Sequence, residues 1–179
     1  MWFTRALPAA CLLAACAQPP EAPRWTLALP PASFGQALSL QQRVTVEREG
    51  RSDSLDAVLD IAPEQLTLVG LALGQRVLTL SYDGSKLSET RHPLLPDNVR
   101  GADILSDVEL ALWPAGAIRA ALPAGWSLDD SEAGRVLRHG SRTVASIRYT
   151  ASPRWQGRIE LNNQQYGYRL TILSQPNDP

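Results

Sequence analysis

Apolar and polar side chains alternate along most of the chain, and this pattern predicts β-structure. Between residues 38 and 47, the apolar positions Leu38, Leu40, Val44 and Val46 fall on one side, and polar residues fall between them. Residues 55–61 repeat this period of two. Because such a period places alternate side chains on opposite faces, each segment is expected to be a strand with one buried face and one wet face.

The stretch 65–90 predicts an antiparallel meander around which the rest of the chain is organised. Its first strand ends in a short apolar bend at 69–74, and a second strand follows at 76–82. Both sides of that second strand are apolar, as in a central strand that is covered on both faces. Asp83 and Gly84 then indicate a hairpin turn, since glycine adopts positive φ angles at little steric cost.

Residues 101–113 change to the spacing of a helix with one apolar stripe. The stripe consists of Ile104, Leu105, Val108 and Leu112. Acidic side chains lie mainly outside it, at Asp103, Asp107 and Glu109. A helix of this length spans about 20 Å, which is enough to cross several strands, and Pro114 ends it. Residues 117–122 predict a further turn or two of helix.

The period of two returns after Trp126 and predicts two hairpins, 135–139 with 142–149 and 158–161 with 166–173. We also expect a first edge strand at 25–29 and a frayed tail at 175–179. A twisted antiparallel sheet of about eight or more strands tends to curl. The expected fold class is therefore α+β, with a curved antiparallel sheet, a helical lid over its inner face, and a single domain at 25–179.

The first residues resemble the signal peptide of a bacterial lipoprotein. Arg5 precedes a small, apolar stretch that is too short to span a bilayer, and residues 13–16 read Leu-Ala-Ala-Cys, like a lipobox. The resemblance implies a signal peptide at 1–15 and acylation of Cys16, and the Pro-rich composition before residue 25 predicts an extended tether at 16–24. Ala17 implies, by the sorting rule of that class, an anchor in the outer membrane on its periplasmic face. An ordinary secretory signal with a chance cysteine is the alternative.

Charge and motif content give little support to catalysis or to nucleic-acid binding. The formal net charge is −1 and the sequence has no basic stripe. It contains no Gly-x-Ser-x-Gly elbow and no phosphate loop. His92 and His139 lack the spacing of metal ligands, and the acidic group 129–132 is expected in a surface turn. We expect no cofactor, no metal and no enzymatic activity, with an esterase built on one of the histidines as a distant alternative.

Four stretches resemble a family of uncharacterised bacterial lipoproteins that are often encoded beside aryl polyene biosynthesis genes. These stretches are LTLVGLALGQRVLTLSYDG at 66–84, ADILSDVELALWP at 102–114, RVLRHG at 135–140 and IELNNQQYGYRLTI at 159–172. The order of elements also resembles the LolA/LolB family of lipoprotein carriers, whose incomplete barrel has helices as its lid. This resemblance implies a cavity for acyl chains and an apolar bend that contacts lipid.

The bend supplies the first group of candidate site residues. Leu71 and Leu73, with Leu68 just before them, are candidates for contact with acyl chains or with a membrane. The alternative, which we favour, is an ordinary bulged connection whose leucines pack in the core.

The helix supplies the second group, because its apolar face is positioned to line a lipid cavity. The candidates are Ile104, Leu105, Val108, Leu112 and the adjoining Trp113. An apolar stripe also fills an ordinary core, and the sequence leaves both possibilities open. For Trp113, Trp126 and Trp155, core packing is favoured over a membrane-facing edge.

The expected function is that of an outer-membrane-anchored, periplasmic lipoprotein that binds or transfers a lipid-like amphiphile, such as an acyl or aryl polyene lipid. Its expected partners are the membrane, through the lipid anchor, and such a ligand. The alternative is a structural or docking module that recruits another envelope protein through its sheet.

Overall fold

A computed structural model describes residues 25–177, so that the expected signal peptide, Cys16 and the whole tether lie outside the described residues. Over 25–177 the fold is α+β, with ten strands in one antiparallel sheet and two α-helices. The strands are β1 (Leu38–Arg48), β2 (Arg51–Ala62), β3 (Gln65–Ala72), β4 (Gln75–Tyr82), β5 (Leu87–Arg91), β6 (Trp126–Ser131), β7 (Gly134–His139), β8 (Arg142–Tyr149), β9 (Gly157–Asn163) and β10 (Tyr168–Pro176). The helices are α1 (Gly101–Leu112) and α2 (Ala115–Ala121), and a short 3-10 turn covers Pro31–Phe34.

The strand order is β5-β4-β3-β2-β1-β10-β9-β8-β7-β6, so the first and last strands of the domain pair at the centre of the sheet. Val44, for example, lies opposite Ile172. The meander of β3, β4 and β5, around which the sequence suggested that the chain is organised, therefore lies at one end of the sheet and not at its centre. Its strands and its Asp83-Gly84 turn are nevertheless confirmed.

The sheet is curved, because α1 is attached to strands near both of its edges. Glu89 on β5 accepts a 3.1 Å hydrogen bond from the Gly101 amide at the start of α1. Arg135 on β7 donates to carbonyls at the end of α1, including that of Trp113. Eight strand spacings separate β5 from β7, about 38 Å in a flat sheet, whereas α1 is about 18 Å long. The sheet therefore curls around the helix, and within residues 25–177 its edges β5 and β6 stay unpaired, which leaves it open.

Three segments that were predicted as a bend, a turn and a frayed tail are partly strand in the structure. The predicted bend at 69–74 shrinks to a hairpin turn at Leu73 and Gly74, since β3 continues through a bulge after Gly70 to Ala72. The acidic group 129–132 is mostly strand, because β6 extends to Ser131. The predicted frayed tail is likewise partly wrong, because β10 pairs with β1 as far as Pro176.

The segment 25–30 is not the predicted edge strand. Its backbone lies along α1, where the Leu27 amide donates to Ser106 Oγ and the Leu29 amide donates to Glu109 Oε1, both at 3.0 Å. These donors are satisfied by helix side chains instead of by a neighbouring strand, and Pro30 then interrupts the segment. We call residues 25–30 the N-terminal strap.

The strap changes the environment of the polar side of α1. Glu109 was expected mainly outside the apolar stripe, yet it is fully buried beneath the strap. Burial raises its pKa to about 8, and the hydrogen bond from the Leu29 amide opposes this rise. The helix therefore has covered surface on more than its apolar stripe.

The C-terminal end of α1 is held by buried polar side chains of the sheet. Arg135, only 3% exposed, donates to the carbonyls of Leu110 and Trp113, both at 2.7 Å, and to Asp130 at 2.8 Å. Tyr149 donates to the carbonyl of Ala111 at 2.8 Å. Because the last carbonyls of a helix have no partner within the helix, these bonds satisfy groups that burial would otherwise leave unpaired.

Candidate functional site

A cavity of about 340 Å³ lies between one side of α1 and the concave face of the sheet. Its walls come from β1 to β4, β10, α1 and the loop that precedes α1, and most of them are aliphatic. The apolar lining includes Val44, Val46, Leu55, Leu68, Val77, Leu78, Leu95, Val99, Ile104, Val108, Leu170 and Ile172. The space corresponds to roughly ten water molecules and falls in the lower part of the range usual for small-molecule sites.

Two small residues on neighbouring strands contribute to this space. Ala57 on β2 and Gly70 on β3 face each other in register, and both line the cavity. A Cβ atom added at Gly70 would meet Leu55 and Leu78 at 3.5 Å, which is ordinary contact. The adjoining positions of the same face, Leu59 and Leu68, carry leucine. The hollow therefore lies where large side chains give way to small ones.

The predicted helix residues divide between the cavity and the core. Ile104 and Val108 are partly buried and line the cavity, as does Leu68 on β3. Leu105 and Leu112 are buried in the core instead. Trp113 is also fully buried, with its indole N–H donating to Ser33 Oγ at 2.9 Å and its ring against Phe34.

The two leucines of the predicted bend lie in different places. Leu71 is partly buried and borders a groove on the outer face of the sheet, away from the cavity. Leu73 is 99% exposed at the tip of the hairpin, with a φ of 51°. The favoured interpretation, that these leucines pack in the core, is therefore wrong for Leu73, because a two-residue turn directs its side chain outward.

The cavity opens at one end of the sheet, and the described chain begins at that same end. Neighbouring strands are antiparallel, so β1, β3, β5 and β7 all finish there. Arg48, Glu49 and Arg51 of the β1–β2 turn line the cavity mouth. The ring of Trp25 lies 5.0 Å from that of Trp126, which pairs with the last residue of β7. The exposed Leu73 belongs to this end as well.

The loop between β5 and α1 forms part of the cavity wall and is fixed to β5. Arg91 donates to the carbonyl of Val99 and, at 2.8 Å, to that of Pro96. The opposite side of this loop presents Leu94, which is 67% exposed. The loop thus has an inner apolar surface towards the cavity and an outer apolar residue near its mouth.

Polar groups occur on the cavity wall where α1 meets β10. The Tyr168 hydroxyl donates to Asp107 Oδ2 at 2.5 Å, and the Asn163 amide donates to the same hydroxyl at 3.0 Å. Burial raises the pKa of Asp107 to about 7, the negative charge of Asp103 adds to the rise, and the bond from Tyr168 opposes it. Burial, reinforced by Asp107, likewise raises the pKa of Tyr168. The sequence pattern missed this pair, since it placed Asp107 among the residues mainly outside the stripe.

The remaining candidates are placed apart from the cavity. His92 lies beside β4, with its amide donating to the carbonyl of Val77, and His139 packs against Trp126. Asp130 accepts from Arg135 and Arg154, so it belongs to the group that holds the end of α1. Among residues 25–177, no group of three or more His, Cys, Asp or Glu side chains is arranged to hold a metal ion.

Comparison with known proteins gives a family but no characterised relative. The model of a family described as "Protein of unknown function (DUF3261)" matches residues 39–176, which include both helices and all ten strands except the first residue of β1. A search of curated proteins found no match. Within the described part of the chain, no helix has the length and apolar character needed to cross a membrane.

Proposed function

The chain belongs to the DUF3261 family of proteins of unknown function, and we propose that it binds the apolar chain of a lipid-like amphiphile between α1 and the sheet. In this proposal Cys16 carries the lipid anchor, and the domain works at the periplasmic face of the outer membrane. The curled, open sheet with α1 inside it would then be a variant of the incomplete barrel of the LolA/LolB family. No covalent step is required, only binding and release.

The observation that carries the proposal is the aliphatic cavity itself. Protein interiors are normally filled to the density of organic crystals, whereas here the side chains of α1 and the sheet stay apart around a cavity of about 340 Å³. Its walls provide dispersion and hydrophobic contacts for a ligand of linear, apolar shape. A mouth lined by Arg48, Glu49 and Arg51 suits the polar head of such a ligand.

The placement of the exposed leucines supports exchange with a membrane. Leu73 and Leu94 both follow strands that finish at the end where the cavity opens. The N-terminal strap starts at this end, so a lipid on Cys16 would hold the cavity mouth towards the bilayer. An extended tether would span roughly 25 Å at about 3.1 Å per residue, which would permit this end to touch the surface. An amphiphile could then move between bilayer and cavity without crossing much water.

A steric block of the cavity tests the proposal. We expect Gly70→Leu to extend a side chain into the hollow and to abolish copurification of a noncovalent amphiphile, measured by mass spectrometry of organic extracts of the purified full chain. Gly70→Ala is the matched control, because its Cβ makes only ordinary contacts, and it should retain the ligand. Thermal melts of both variants establish that each is folded.

The competing function is a docking module, and one observation favours it. The outer face of the sheet has an open groove bordered by Leu71 and Leu173, and Leu173 is 47% exposed. A docking module would copurify with a protein instead of a lipid, and that association would be unaffected by Gly70→Leu. A wild-type extract without amphiphile, together with a protein partner lost on Leu173→Glu, would replace the carrier proposal with this one.

A further inference from the structure

The cavity has a polar side as well as an apolar floor, and the two are spatially separate. Ala57, Gly70 and Leu78 belong to the floor on β2 to β4. Asp107 and Tyr168 lie on the opposite wall, where α1 meets β10. In the sheet, Tyr168 stands opposite Arg48 of the mouth, so this polar pair lies near the opening. A bound amphiphile with its chain on the floor would therefore bring its head to the polar pair.

We propose that the Asp107–Tyr168 pair recognises a hydroxyl group on the head of the bound amphiphile. This inference rests on the proposed function, since it names the chemistry of the ligand that the cavity holds. Tyr168 uses its hydrogen as a donor to Asp107 Oδ2 and accepts from Asn163, so the pair offers acceptor oxygens to a ligand. A head group with a donor hydrogen complements it, and a head group without one does not.

The surrounding charges discriminate between classes of donor. A free carboxylate on the ligand would meet Asp103 and Asp107, which lie four residues apart on the cavity side of α1. A cationic head would meet a mouth of mixed charge, with Glu49 and Asp53 beside Arg48, Arg51 and Arg100, and it would lose much of its hydration in an apolar space. A neutral hydroxyl avoids both penalties. The shift of the Asp107 pKa towards neutrality agrees with a site that is not a preformed partner for a cation.

The bond from Tyr168 positions the acceptor. It fixes the carboxyl of Asp107 at 2.5 Å, while Asn163 fixes the tyrosine hydroxyl from the other side. The carboxyl of Asp107 already accepts from Tyr168 and Asn163, so a donor hydrogen on the ligand adds a further bond to the remaining lone pairs of the pair. Selectivity follows because a head group without a donor hydrogen makes no such bond.

The test compares ligands that differ in one donor hydrogen. Radiolabelled dodecanol is bound to the immobilised full chain and is displaced by unlabelled dodecanol or by dodecyl methyl ether, which has no donor. We expect dodecanol to bind about tenfold more tightly, as one hydrogen bond to a carboxyl group permits. Dodecanoate and dodecylamine should both compete more weakly than dodecanol.

Two variants localise the effect. Asp107→Leu should reduce the preference for dodecanol over the ether to about twofold or less, and Tyr168→Phe should reduce it while keeping the ring in place. Gly70→Leu should instead weaken both ligands alike, because it acts on the floor. Since the preference is also measured in the wild-type chain, the test does not depend on the folding of any variant.

Each contrary result has a distinct meaning. Equal binding of dodecanol and the ether to the wild-type chain overturns hydroxyl recognition and leaves the cavity function standing. Tighter binding of dodecylamine than of dodecanol overturns it in favour of a cationic head. If neither dodecanol nor the ether binds to the folded wild-type chain, the proposed function itself fails.

Discussion

The two sides of α1 are packed in opposite ways. Towards β7, β8 and the strap, its surface is filled, and buried polar groups such as Arg135 and Tyr149 hold its carbonyls. Towards β2, β3 and β4, the same helix borders an unfilled space of about 340 Å³. Leu105 and Ile104 are neighbours in sequence, yet the first is buried in the core and the second lines the cavity.

This difference teaches how a small domain keeps a hollow without collapsing into it. A helix that was attached only by its apolar stripe could slide into the space and fill it. Here its C-terminal end is fixed to β7 and β8, and its start is fixed to β5 through Glu89. The filled side thus supplies the stability, and the open side is free to be shaped for a ligand.

The largest effect is expected from removing the main attachment on the filled side. Arg135→Ala removes the buried donor of the Leu110 and Trp113 carbonyls, while Asp130 keeps its bond from Arg154. Each buried carbonyl left without a partner costs about 1–3 kcal/mol, and we expect the free energy of unfolding, measured with urea, to fall by about 2–6 kcal/mol.

Arg138 provides the matched control for this variant. It lies on the same strand and pairs with Asp129 at 3.1 Å, but the pair is exposed. Arg138→Ala should change the free energy of unfolding by less than about 1 kcal/mol. If the two substitutions had equal effects, the attachment of α1 through β7 would not be what holds the helix in place.

A smaller change in the free energy of unfolding is expected when apolar residues on the two sides of α1 are truncated. Leu105→Ala creates a new void in a filled core and should cost about 2–5 kcal/mol. Ile104→Ala only enlarges a space that already exists, and its side chain is partly exposed, so we expect about half that loss. Urea unfolding of both variants measures the difference. A loss at Ile104 as large as that at Leu105 would mean that the cavity is not present in solution.

The sequence predicted the strands and α1 well, because alternation and helical spacing are local signals. The predicted edge strand at 25–29 was wrong. An apolar run before two prolines does not reveal that its backbone amides donate to side chains of Ser106 and Glu109. The pairing of β1 with β10 was not predicted, because it joins residues from opposite ends of the domain. That pairing depends on the tertiary fold, which local sequence patterns do not reveal.

The sequence identified only some of the residues that line the cavity. A cavity is an absence of atoms, and a stripe that lines it has the same sequence as a stripe that fills a core. The signal that was available lay in Ala57 and Gly70, small residues within strands that are otherwise rich in leucine and valine. Asp107 and Arg135 carried no such signal, because charged residues are exposed in most proteins.

The last prediction concerns two buried acids, one on the filled side of α1 and one on the side that borders the cavity. Glu109 lies beneath the strap with a pKa of about 8, and Asp107 borders the cavity with a pKa of about 7. Both values are raised above those of the unfolded chain, mainly by burial. Between the unfolded and folded values, the native state binds more protons than the unfolded state. Stability therefore falls as the pH rises from about 4 to about 8, and only Glu109 contributes to the last part of this fall.

Glu109→Gln separates the two contributions. The amide oxygen still accepts from the Leu29 amide, and no charge has to be buried, so the variant should match the wild type near pH 5. Above pH 8 it should be more stable, by an amount on the order of a few kcal/mol, since each unit of pKa corresponds to about 1.4 kcal/mol. Urea unfolding across this pH range measures the effect. Glu160→Gln, which alters an exposed ion pair with Arg158, is the control and should leave the pH profile unchanged. An unaltered profile for Glu109→Gln would mean that the strap does not cover this side of α1, and the contrast between a filled side and an open side would be lost.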